Sequence, residues 1–344
     1  MIELYESDDA LKFESEKRAP ILDVRELVVE FRLPNGIIKA NNKVSIRVNQ
    51  GETLGIVGES GSGKSVLCRS ILRLIPNPPG TISAGKILFN NEDLMLLTES
   101  EMQRVRGTQI KMIFQNPMTS LNPVWPIGDQ ITEGLRIHQG LKRSEARQVG
   151  IDLLQRVGIP SPAVRFKDYP FQWSGGMLQR AVIAMAMAGD PQLLLADEPT
   201  TALDVTIQDQ ILALLLELQD RKNMAMLLVS HDMAIVAETC DQVAVMYAGQ
   251  IVEVATVQKL FEAPMHPYTV GLMNSIPKLT AKRERLVPIA GQPPNLVNMR
   301  GGCPFAERCQ YVTPDCFEIP VSLRDIGVDH QTACLYPERI EYLQ

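Results

Sequence analysis

The stretch that decides the fold is Gly58-Glu59-Ser60-Gly61-Ser62-Gly63-Lys64-Ser65. It fits G-x-x-x-x-G-K-[ST], the pattern of a loop that binds phosphate groups. The apolar run Leu54 to Val57 precedes it and predicts a buried strand, and the apolar spacing from Val66 to Leu74 predicts a helix. The order of strand, glycine-rich turn and helix is the context in which this pattern holds a nucleotide. The alternative is a glycine- and serine-rich surface turn that matches by chance.

The residue types of this Walker A loop suit a nucleotide triphosphate. Glycines let successive backbone N–H groups converge on phosphate oxygens, and the following helix begins with a partial positive charge. Lys64 is expected to reach the β- and γ-phosphates, and the Ser65 hydroxyl is expected to ligate Mg²⁺. We therefore expect every residue from Gly58 to Val66 to line the nucleotide.

Composition excludes several classes of protein. The chain has 344 residues, of which 45% are hydrophobic and 22% charged, as in ordinary globular proteins of more than one domain. Its 34 basic and 40 acidic side chains give a net charge of −6, which argues against a general nucleic-acid binder. No apolar run approaches the length of a membrane span, and the acidic start does not resemble a signal peptide. The sequence predicts a cytoplasmic protein that reaches a membrane only by docking on other subunits.

Apolar patterning divides the chain into three parts. Residues 1–20 read as a flexible lead-in, and residues 21–262 alternate short apolar strands with helices, the mark of an α/β layered fold. Alternating strands are predicted at Ile21 to Phe31 and Val44 to Val48, with a turn between them. Residues 263–344 are interrupted by many prolines and predict a small, loop-rich C-terminal extension.

A second nucleotide motif follows the first. The apolar run Leu193 to Ala196 ends in Asp197 and Glu198 and reads as a Walker B strand, which carries acids to the edge of the sheet where nucleotides bind. Asp197 is expected to hold Mg²⁺, and Glu198 to polarise the water that attacks the γ-phosphate. The alternative is a pair of solvated acids at a strand end.

Further motifs make the chain resemble the ATPases of ABC transporters. They occur in family order over residues 21–260, and they are the signature-like run Trp173 to Arg180, Gln115 after an apolar strand, Ala202-Leu203-Asp204, His231 after a strand, and Phe31 on an early strand. The resemblance implies a P-loop NTPase fold of the ABC cassette type. Such a cassette has a RecA-like core, a helical subdomain at about residues 116–188 and an antiparallel β subdomain.

The resemblance also implies roles for these residues. Two cassettes would sandwich two ATP molecules head to tail, with Ser174, Gly175 and Gly176 of one cassette on the γ-phosphate held by the other. Gln115 would ligate Mg²⁺ and take part in catalysis, and His231 would contact the γ-phosphate and hold the attacking water in place. The remaining expected nucleotide contacts are those of Phe31, as an aromatic platform for adenine, and of Asp204. Strand phenylalanines are more often core residues, so core packing is the alternative for Phe31.

Two segments are similar to the D-type ATPases of oligopeptide and dipeptide importers. These are Phe114 to Pro123 and the C-terminal run that opens with His266-Pro267-Tyr268 and continues through Gly302-Cys303-Pro304-Phe305. This resemblance implies a second ATPase subunit that is a paralogue, two transmembrane permease subunits and an extracytoplasmic solute-binding protein, with no nucleic acid. It places the chain on the cytoplasmic face of the inner membrane. The resemblance implies that the chain hydrolyses ATP to drive uptake of oligopeptides or dipeptides, with nickel and sugar oligomers as alternative cargoes.

Four cysteines cluster in the extension, at Cys303, Cys309, Cys316 and Cys334. Four thiolates suit a [4Fe–4S] cluster or a tetrahedral Zn²⁺, and a reducing cytosol disfavours disulfides. Because some members of the resembled branch carry such a cluster, we expect [4Fe–4S] here, with zinc and free or paired thiols as alternatives. Cys68 and Cys240 are expected to be buried, unreactive thiols.

Other classes of ATPase with the same signature fit less well. DNA-repair and chromosome-structure ATPases insert long coiled coils between the positions of Gln115 and Ser174, but only the 58 residues from 116 to 173 intervene here. Translation-factor ATPases carry two cassettes, whereas this chain has one Walker A pattern. A non-enzymatic iron–sulfur scaffold would not need Glu198 and His231. Trp173 replaces the usual leucine of the signature and predicts altered packing, and Asn41-Asn42 departs from the family without a physical account.

Overall fold

The computed structural model describes residues 20–201, 203–275, 289–297, 299 and 301–341. Its strands are β1 (Pro20–Leu33), β2 (Gly36–Asn49), β3 (Thr53–Val57), β4 (Gly80–Phe89), β5 (Glu92–Asp93), β6 (Ile110–Ile113), β7 (Leu193–Asp197), β8 (Ala225–Ser230), β9 (Gln242–Tyr247), β10 (Gln250–Thr256), β11 (Arg324–Gly327) and β12 (His330–Thr332). Its α-helices are α1 (Lys64–Ile71), α2 (Glu99–Arg104), α3 (Pro117–Ser120), α4 (Ile127–His138), α5 (Arg143–Arg156), α6 (Pro162–Arg165), α7 (Gly175–Met187), α8 (Val205–Lys222), α9 (Met233–Thr239), α10 (Val257–Glu262), α11 (Pro267–Asn274) and α12 (Asp315–Glu318).

The central sheet has eight strands in the order β11-β12-β10-β9-β3-β8-β7-β6. Strands β9, β3, β8, β7 and β6 run parallel, and β10, β12 and β11 add antiparallel pairs beyond β9. All residues of β3, β7 and β8 are buried, because helices cover both faces of a parallel sheet. The predicted apolar strands thus form the middle of the molecule, and their carboxyl ends meet at one edge.

A smaller antiparallel sheet packs beside the central one. Its strand order is β2-β1-β4-β5, and β1 and β2 form a hairpin around the turn at Pro34 and Asn35. The predicted strands at 21–31 and 44–48 both lie in this hairpin. The lead-in expected at residues 1–20 lies outside the described residues except for Pro20, which begins β1.

A second hydrophobic cluster lies among the helices that follow β6. The stretch with a helical pattern from 127 to 157 forms two helices, α4 and α5, and Gly140 between them has φ +67°. Both helices pack against α7, whose buried residues join this cluster. Trp173, just before α7, is buried in the same cluster and donates its indole N–H to Asp168 Oδ2 at 3.1 Å. The bulky signature residue therefore acts as a packing anchor.

The C-terminal extension is joined to the main sheet. Strand β12 pairs with β10, so that His330 lies opposite Ala255 and Thr332 opposite Glu253. Tyr268 of α11 and Phe305 enter a third cluster of buried residues together with Tyr247 of β9. The extension thus adds strands and aromatic side chains to the α/β core. In the part of the chain that the structure describes, no helix is both long and apolar enough to cross a membrane.

Candidate nucleotide site

The Walker A loop connects the carboxyl end of β3 to the first turn of α1. Gly63 has φ +108°, and a Cβ atom there would lie 2.2 Å from the carbonyl oxygen of Ala40. A Cβ atom on Gly58 would lie 2.0 Å from the carbonyl oxygen of Met246. Any larger residue would displace backbone at both positions, so the glycines of the pattern are required by the close packing of the loop. Ser60 and Gly61 are exposed at its tip.

Lys64 is a buried cation whose hydrogen-bond partners are neutral. The residue is 5% exposed, and Nζ donates to the carbonyl oxygens of Gly58 at 2.7 Å and Glu59 at 3.0 Å. Burial lowers the pKa of Lys64, although the carboxylates of Glu198, Asp197 and Glu59 oppose that shift. The buried Ser62 Oγ has no hydrogen-bond partner among the described residues. A phosphate group would supply the counter-charge and the partner that these two side chains lack, so the loop fits a triphosphate.

Ser65 and Asp197 place two oxygen atoms together beside this loop. Ser65 Oγ donates to Asp197 Oδ1 at 2.8 Å, and Asp197 is 1% exposed at the end of β7. Burial raises the pKa of Asp197, with Glu198 adding to the shift and the Ser65 bond opposing it. A divalent cation would offset the cost of burying this carboxylate, and hard oxygen donors are the ligands that Mg²⁺ prefers. The pair therefore fits Mg²⁺.

Glu198 gathers the remaining candidate residues around one carboxylate oxygen. Its Oε2 accepts hydrogen bonds from Gln115 Nε2 and Thr201 Oγ1, both at 2.9 Å, and lies 3.4 Å from His231 Nδ1. The side chain of His231 is 63% exposed, so this group opens to solvent. Gln115, Glu198 and His231 follow the neighbouring strands β6, β7 and β8. The adjacency of these strands explains why residues far apart in sequence meet here.

The backbone at Glu198 is held in an uncommon conformation. Its φ is +48°, in the left-handed region that residues other than glycine rarely adopt. Its N–H donates to the carbonyl oxygen of Val229 at 3.0 Å. Strain of this kind costs about 1–3 kcal/mol and persists where the surrounding structure enforces it, often at functional sites. The turn directs the carboxylate away from β7 and toward Gln115 and His231.

The signature segment lies apart from the Walker A loop within one chain. Ser174 caps α7 by accepting the Met177 N–H at 3.4 Å, and Gly175 and Gly176 form the first turn. In the described part of the chain, no hydrogen bond joins this segment to residues 58–66. The free N-terminal end of α7 keeps the capacity to bind an anion.

Other candidate residues have structural contacts in this chain. Asp204 caps α8, accepting the Ile207 N–H at 3.0 Å, and Ala202 of the same expected loop lies outside the described residues. Phe31 and Val66 are half-buried against the core of the small and central sheets. The nucleotide contacts expected of Asp204, Phe31 and Val66 stay predictions.

Three contacts to the Walker A loop were missed by sequence reasoning. Asn41 is buried on β2, and its Nδ2 donates to the carbonyl oxygens of Ala40 at 3.0 Å and Gly63 at 3.1 Å. This explains the residue that departs from the family pattern, because its amide fixes the loop next to Lys64. The other two contacts come from Tyr268 and Arg308 of the extension. Thr201, which binds Glu198, was also missed. The motif His266-Pro267-Tyr268 marked Tyr268 as part of the extension, but no local pattern pointed to any of these contacts.

The four cysteines of the extension require a correction. Cys303, Cys309, Cys316 and Cys334 are free thiols. Across the residues that the structure describes, no group of three or more His, Cys, Asp or Glu side chains could hold a metal ion. Burial raises the pKa of Cys303 to about 12 and that of Cys334 to about 11, so both are protonated thiols in the chain alone. The predicted [4Fe–4S] cluster, with Cys303, Cys309, Cys316 and Cys334 as its ligands, is therefore wrong.

The other two cysteines are inert by the same reasoning. Cys68 is buried on α1, and burial raises its pKa well above the ordinary value. Cys240 is half-buried after α9, and burial raises its pKa to about 12. Neither thiol is poised to ionise near neutral pH, so both are packing residues.

Comparisons with known proteins agree over nearly the whole chain. The ABC transporter family matches residues 41–201, and the C-terminal region of oligopeptide/dipeptide transporters matches residues 252–316. The chain is 48% identical to the dipeptide transport ATP-binding protein DppD of Escherichia coli, over 92% of this chain and 97% of that protein. It is 50% identical to the oligopeptide transport ATP-binding protein OppD of Bacillus subtilis, over 87% of this chain and 84% of that protein. A solved dimeric structure of the bacterial ABC transporter cassette MJ0796 is similar with a TM-score of 0.62 and 26% identity, over 69% of this chain and 98% of that one.

Proposed function

Because this chain belongs to the ATP-binding proteins of ABC transporters, we propose that it binds and hydrolyses ATP to drive import of dipeptides or oligopeptides across a membrane. The observation that carries the proposal is the meeting of Lys64, Asp197 and Glu198 at one edge of the sheet. The match extends beyond the cassette into the C-terminal region of oligopeptide/dipeptide transporters, at residues 252–316. This match favours peptides over nickel or sugar oligomers as cargo.

The chain's own residues divide the work of hydrolysis. Lys64 exchanges its bonds to loop carbonyls for phosphate oxygens, and Ser62 and the loop N–H groups complete the cradle. Glu198 accepts a proton from the attacking water, while Gln115 and His231 hold that water in line. Ser65, Asp197 and Gln115 would hold Mg²⁺, which neutralises charge on the phosphate oxygens when it is bound.

The signature segment acts on a second cassette. Ser174, Gly175 and Gly176 lie at a helix start that no residue of the Walker A loop contacts in the described chain, so they are free to bind the γ-phosphate held by a partner. We infer that two cassettes close head to tail around two ATP molecules, with Asp204 at the joint. The second cassette is a paralogue of this chain in our proposal.

The remaining partners are membrane subunits. The family association implies permease subunits and a substrate-binding protein, with this chain associated with the membrane through them. We propose two permeases, an extracytoplasmic solute-binding protein and a position on the cytoplasmic face of the inner membrane. Met118, Val124 and Trp125 are exposed apolar side chains close to Gln115, and the segment Met118 to Ile131 is our candidate groove for a coupling helix of a permease.

We propose that the chain has two parts, a nucleotide-binding domain and a C-terminal extension. Residues 21–262 form the nucleotide-binding domain, with its helical subdomain at about 116–188, where α4, α5 and α7 build a cluster of their own. Residues 263–344 form the extension. Its β12 pairs with the last strand of the nucleotide-binding domain.

Transport by the assembled complex tests the proposal. Membrane vesicles that contain the chain, its partner ATPase and its permeases should accumulate labelled dipeptides or oligopeptides only with Mg²⁺ and ATP. Lys64→Ala should weaken ATP binding by about 100-fold or more and stop uptake, because a buried cation no longer meets the phosphates. A complex that imports nickel or an oligosaccharide but no peptide would refute the cargo. A wild-type complex that binds no nucleotide would refute the function.

A further inference from the structure

Arg308 of the extension forms an ion pair with the Walker A loop. Its Nη1 donates to Glu59 Oε2 at 2.7 Å and its Nη2 to Glu59 Oε1 at 3.0 Å, a two-bond fork that matches a carboxylate. The Arg308 side chain is 4% exposed. Its guanidinium carbon lies 5.7 Å from the ring centroids of both Tyr247 and Phe305. The Glu59 side chain is 26% exposed, so what the two charge-assisted bonds of this pair provide is a fixed geometry.

The extension also fixes the direction of the guanidinium. Nε of Arg308 donates to the carbonyl oxygen of Ala290 at 2.9 Å, and Nη1 lies 3.2 Å from Tyr247 Oη. Nη2 also donates to the carbonyl oxygen of Ile289 at 3.4 Å, so all five N–H groups of the guanidinium have partners. A side chain held in this way positions what it binds.

Glu59 is held at its backbone as well as at its carboxylate. Its N–H donates to Tyr268 Oη at 2.7 Å, and its carbonyl oxygen accepts from Lys64 Nζ at 3.0 Å and from the Ser62 N–H at 3.2 Å. Burial raises the pKa of Tyr268, which keeps its hydroxyl neutral and able to accept this bond. Glu59, which accepts a hydrogen bond from Lys64, is therefore fixed by Tyr268 and Arg308 of the extension.

The pair also controls the charge beside the phosphate cradle. The carboxylate of Glu59 is close enough to Lys64 to raise the lysine pKa against the larger effect of burial. Without a counter-charge, this carboxylate would repel a triphosphate that approaches Lys64. Arg308 is always protonated and cancels that charge at every relevant pH.

We propose that Arg308 is a positioning residue for nucleotide binding, which holds and neutralises Glu59 so that the Walker A loop keeps its phosphate-binding shape and charge. The inference rests on the proposed function of this loop as the ATP site. It makes the C-terminal extension a determinant of ATP affinity.

Docking of the extension does not depend on Arg308 alone. Strand β12 pairs with β10, and His330 Nε2 lies 2.7 Å from Glu253 Oε1 in a buried contact away from the loop. Tyr268 and Phe305 add aromatic packing against Tyr247. A variant at Arg308 is therefore expected to keep the fold.

The test compares ATP affinity of the full-length chain with Mg²⁺ for wild type, Arg308→Gln and Arg308→Lys. Arg308→Gln should raise the Kd about tenfold, because the fork is lost and a carboxylate is left unpaired. Arg308→Lys keeps the charge but not the fork and should fall between the two. Arg324→Gln is the matched control, since Arg324 binds the carbonyl oxygens of Cys334 and Leu335 in the same extension and should leave the Kd unchanged.

A double-variant cycle separates charge from simple loss of packing. If the charge of Glu59 carries the effect, Arg308→Gln should raise the Kd much less in a Glu59→Gln background than in the wild type, because no unpaired anion remains. In the assembled transporter, Arg308→Gln should raise KM for ATP with kcat nearly unchanged, as expected for binding that is uniform along the reaction.

The outcomes are distinguishable. A wild-type chain without ATP affinity refutes the proposed function of the loop. Wild-type affinity that is unchanged in a folded Arg308→Gln variant refutes the positioning role. If Arg308→Gln does not fold, Arg308→Lys and Tyr268→Phe decide: a Kd raised several-fold in both supports the role, and an unchanged Kd in both overturns it.

Discussion

The nucleotide edge of the central sheet and the C-terminal extension both bury charged side chains, but they use them differently. At the nucleotide edge, Glu198 shares one oxygen with Gln115, Thr201 and an exposed His231, so the group faces solvent and can receive a ligand. Where the extension joins the main sheet, Glu253 of β10 is fully buried and contacts His330 of the extension. The difference teaches that burial of a charge marks a site only where its surroundings leave room for another molecule.

The largest expected effect comes from removing the carboxylate of Glu198 at the nucleotide edge. Glu198→Gln keeps the shape of the side chain but removes the base, so ATP hydrolysis by the assembled transporter should fall by about 10²- to 10⁴-fold while ATP still binds. Phosphate release and nucleotide binding measure the two effects. Glu217→Gln, at an exposed helix pair with Arg221, is the control and should hydrolyse ATP normally. Hydrolysis at the wild-type rate in Glu198→Gln would show that another group is the base.

The second prediction concerns the buried carboxylate of Glu253, which contacts Met265 and His330. Glu253→Ala leaves the Met265 N–H, now bonded at 2.6 Å, and the His330 ring without their acceptor, so the free energy of unfolding should fall by about 3 kcal/mol. Chemical denaturation measures the loss. Glu253→Gln retains an acceptor oxygen and should lose less.

Affinity for ATP completes this comparison. Because Glu253 does not contact the Walker A loop, the folded Glu253→Ala variant should bind ATP as the wild type does. The extension contacts the Walker A loop through Tyr268 and Arg308, and it contacts Glu253 through His330. A large loss of ATP affinity would contradict the conclusion that these two sets of contacts are independent.

The smallest expected effect concerns pH. Burial lowers the pKa of His266 to about 3, and its neutral Nδ1 accepts the Tyr268 N–H at 3.1 Å at the start of α11. The unfolded chain takes up this proton below about pH 6.5 and the folded chain does not, so stability falls as the pH decreases from 6.5 toward 3. Relative to pH 7.5, this group should cost about 1.4 kcal/mol at pH 5.5.

His266→Asn is the matched variant. Asparagine also caps helices, so the start of α11 is retained without a titrating group. The stability of the variant should depend less on pH between 7.5 and 5.5, as measured by denaturation at each pH. The same slope in both proteins would contradict the assignment.

The parts of the fold and site that could be predicted are those encoded by contiguous residues. The Walker A loop, Asp197 and the strands that carry them are encoded by contiguous strand and turn patterns, so their elements and adjacency followed from the sequence. Gln115 and His231 were found by resemblance, and the order of parallel strands brings them to Glu198. These predictions hold because neighbouring parallel strands end at the same edge.

Contacts between distant segments could not be predicted. Arg308 and Glu59 are 249 positions apart, and neither pattern contains a sign of the other. Asn41 was an unexplained departure from the family pattern because its partner, Gly63, lies beyond the next strand, β3, in the sequence. The [4Fe–4S] prediction was carried over from resembled proteins, and among the described residues no group of side chains that could hold a metal ion supports it.

The pairing of β12 with β10 has a consequence for solubility. Strand β10 pairs with β9 on one side, and without β12 its other side would be an open edge of the central sheet. Such an edge presents a row of unpaired N–H and C=O groups on which another chain could pair. The short strands β12 and β11 cap that row, and the outer one carries charged Arg324 and Asp325. Strands β11 and β12 thereby cover an edge of the sheet on which another strand could otherwise pair.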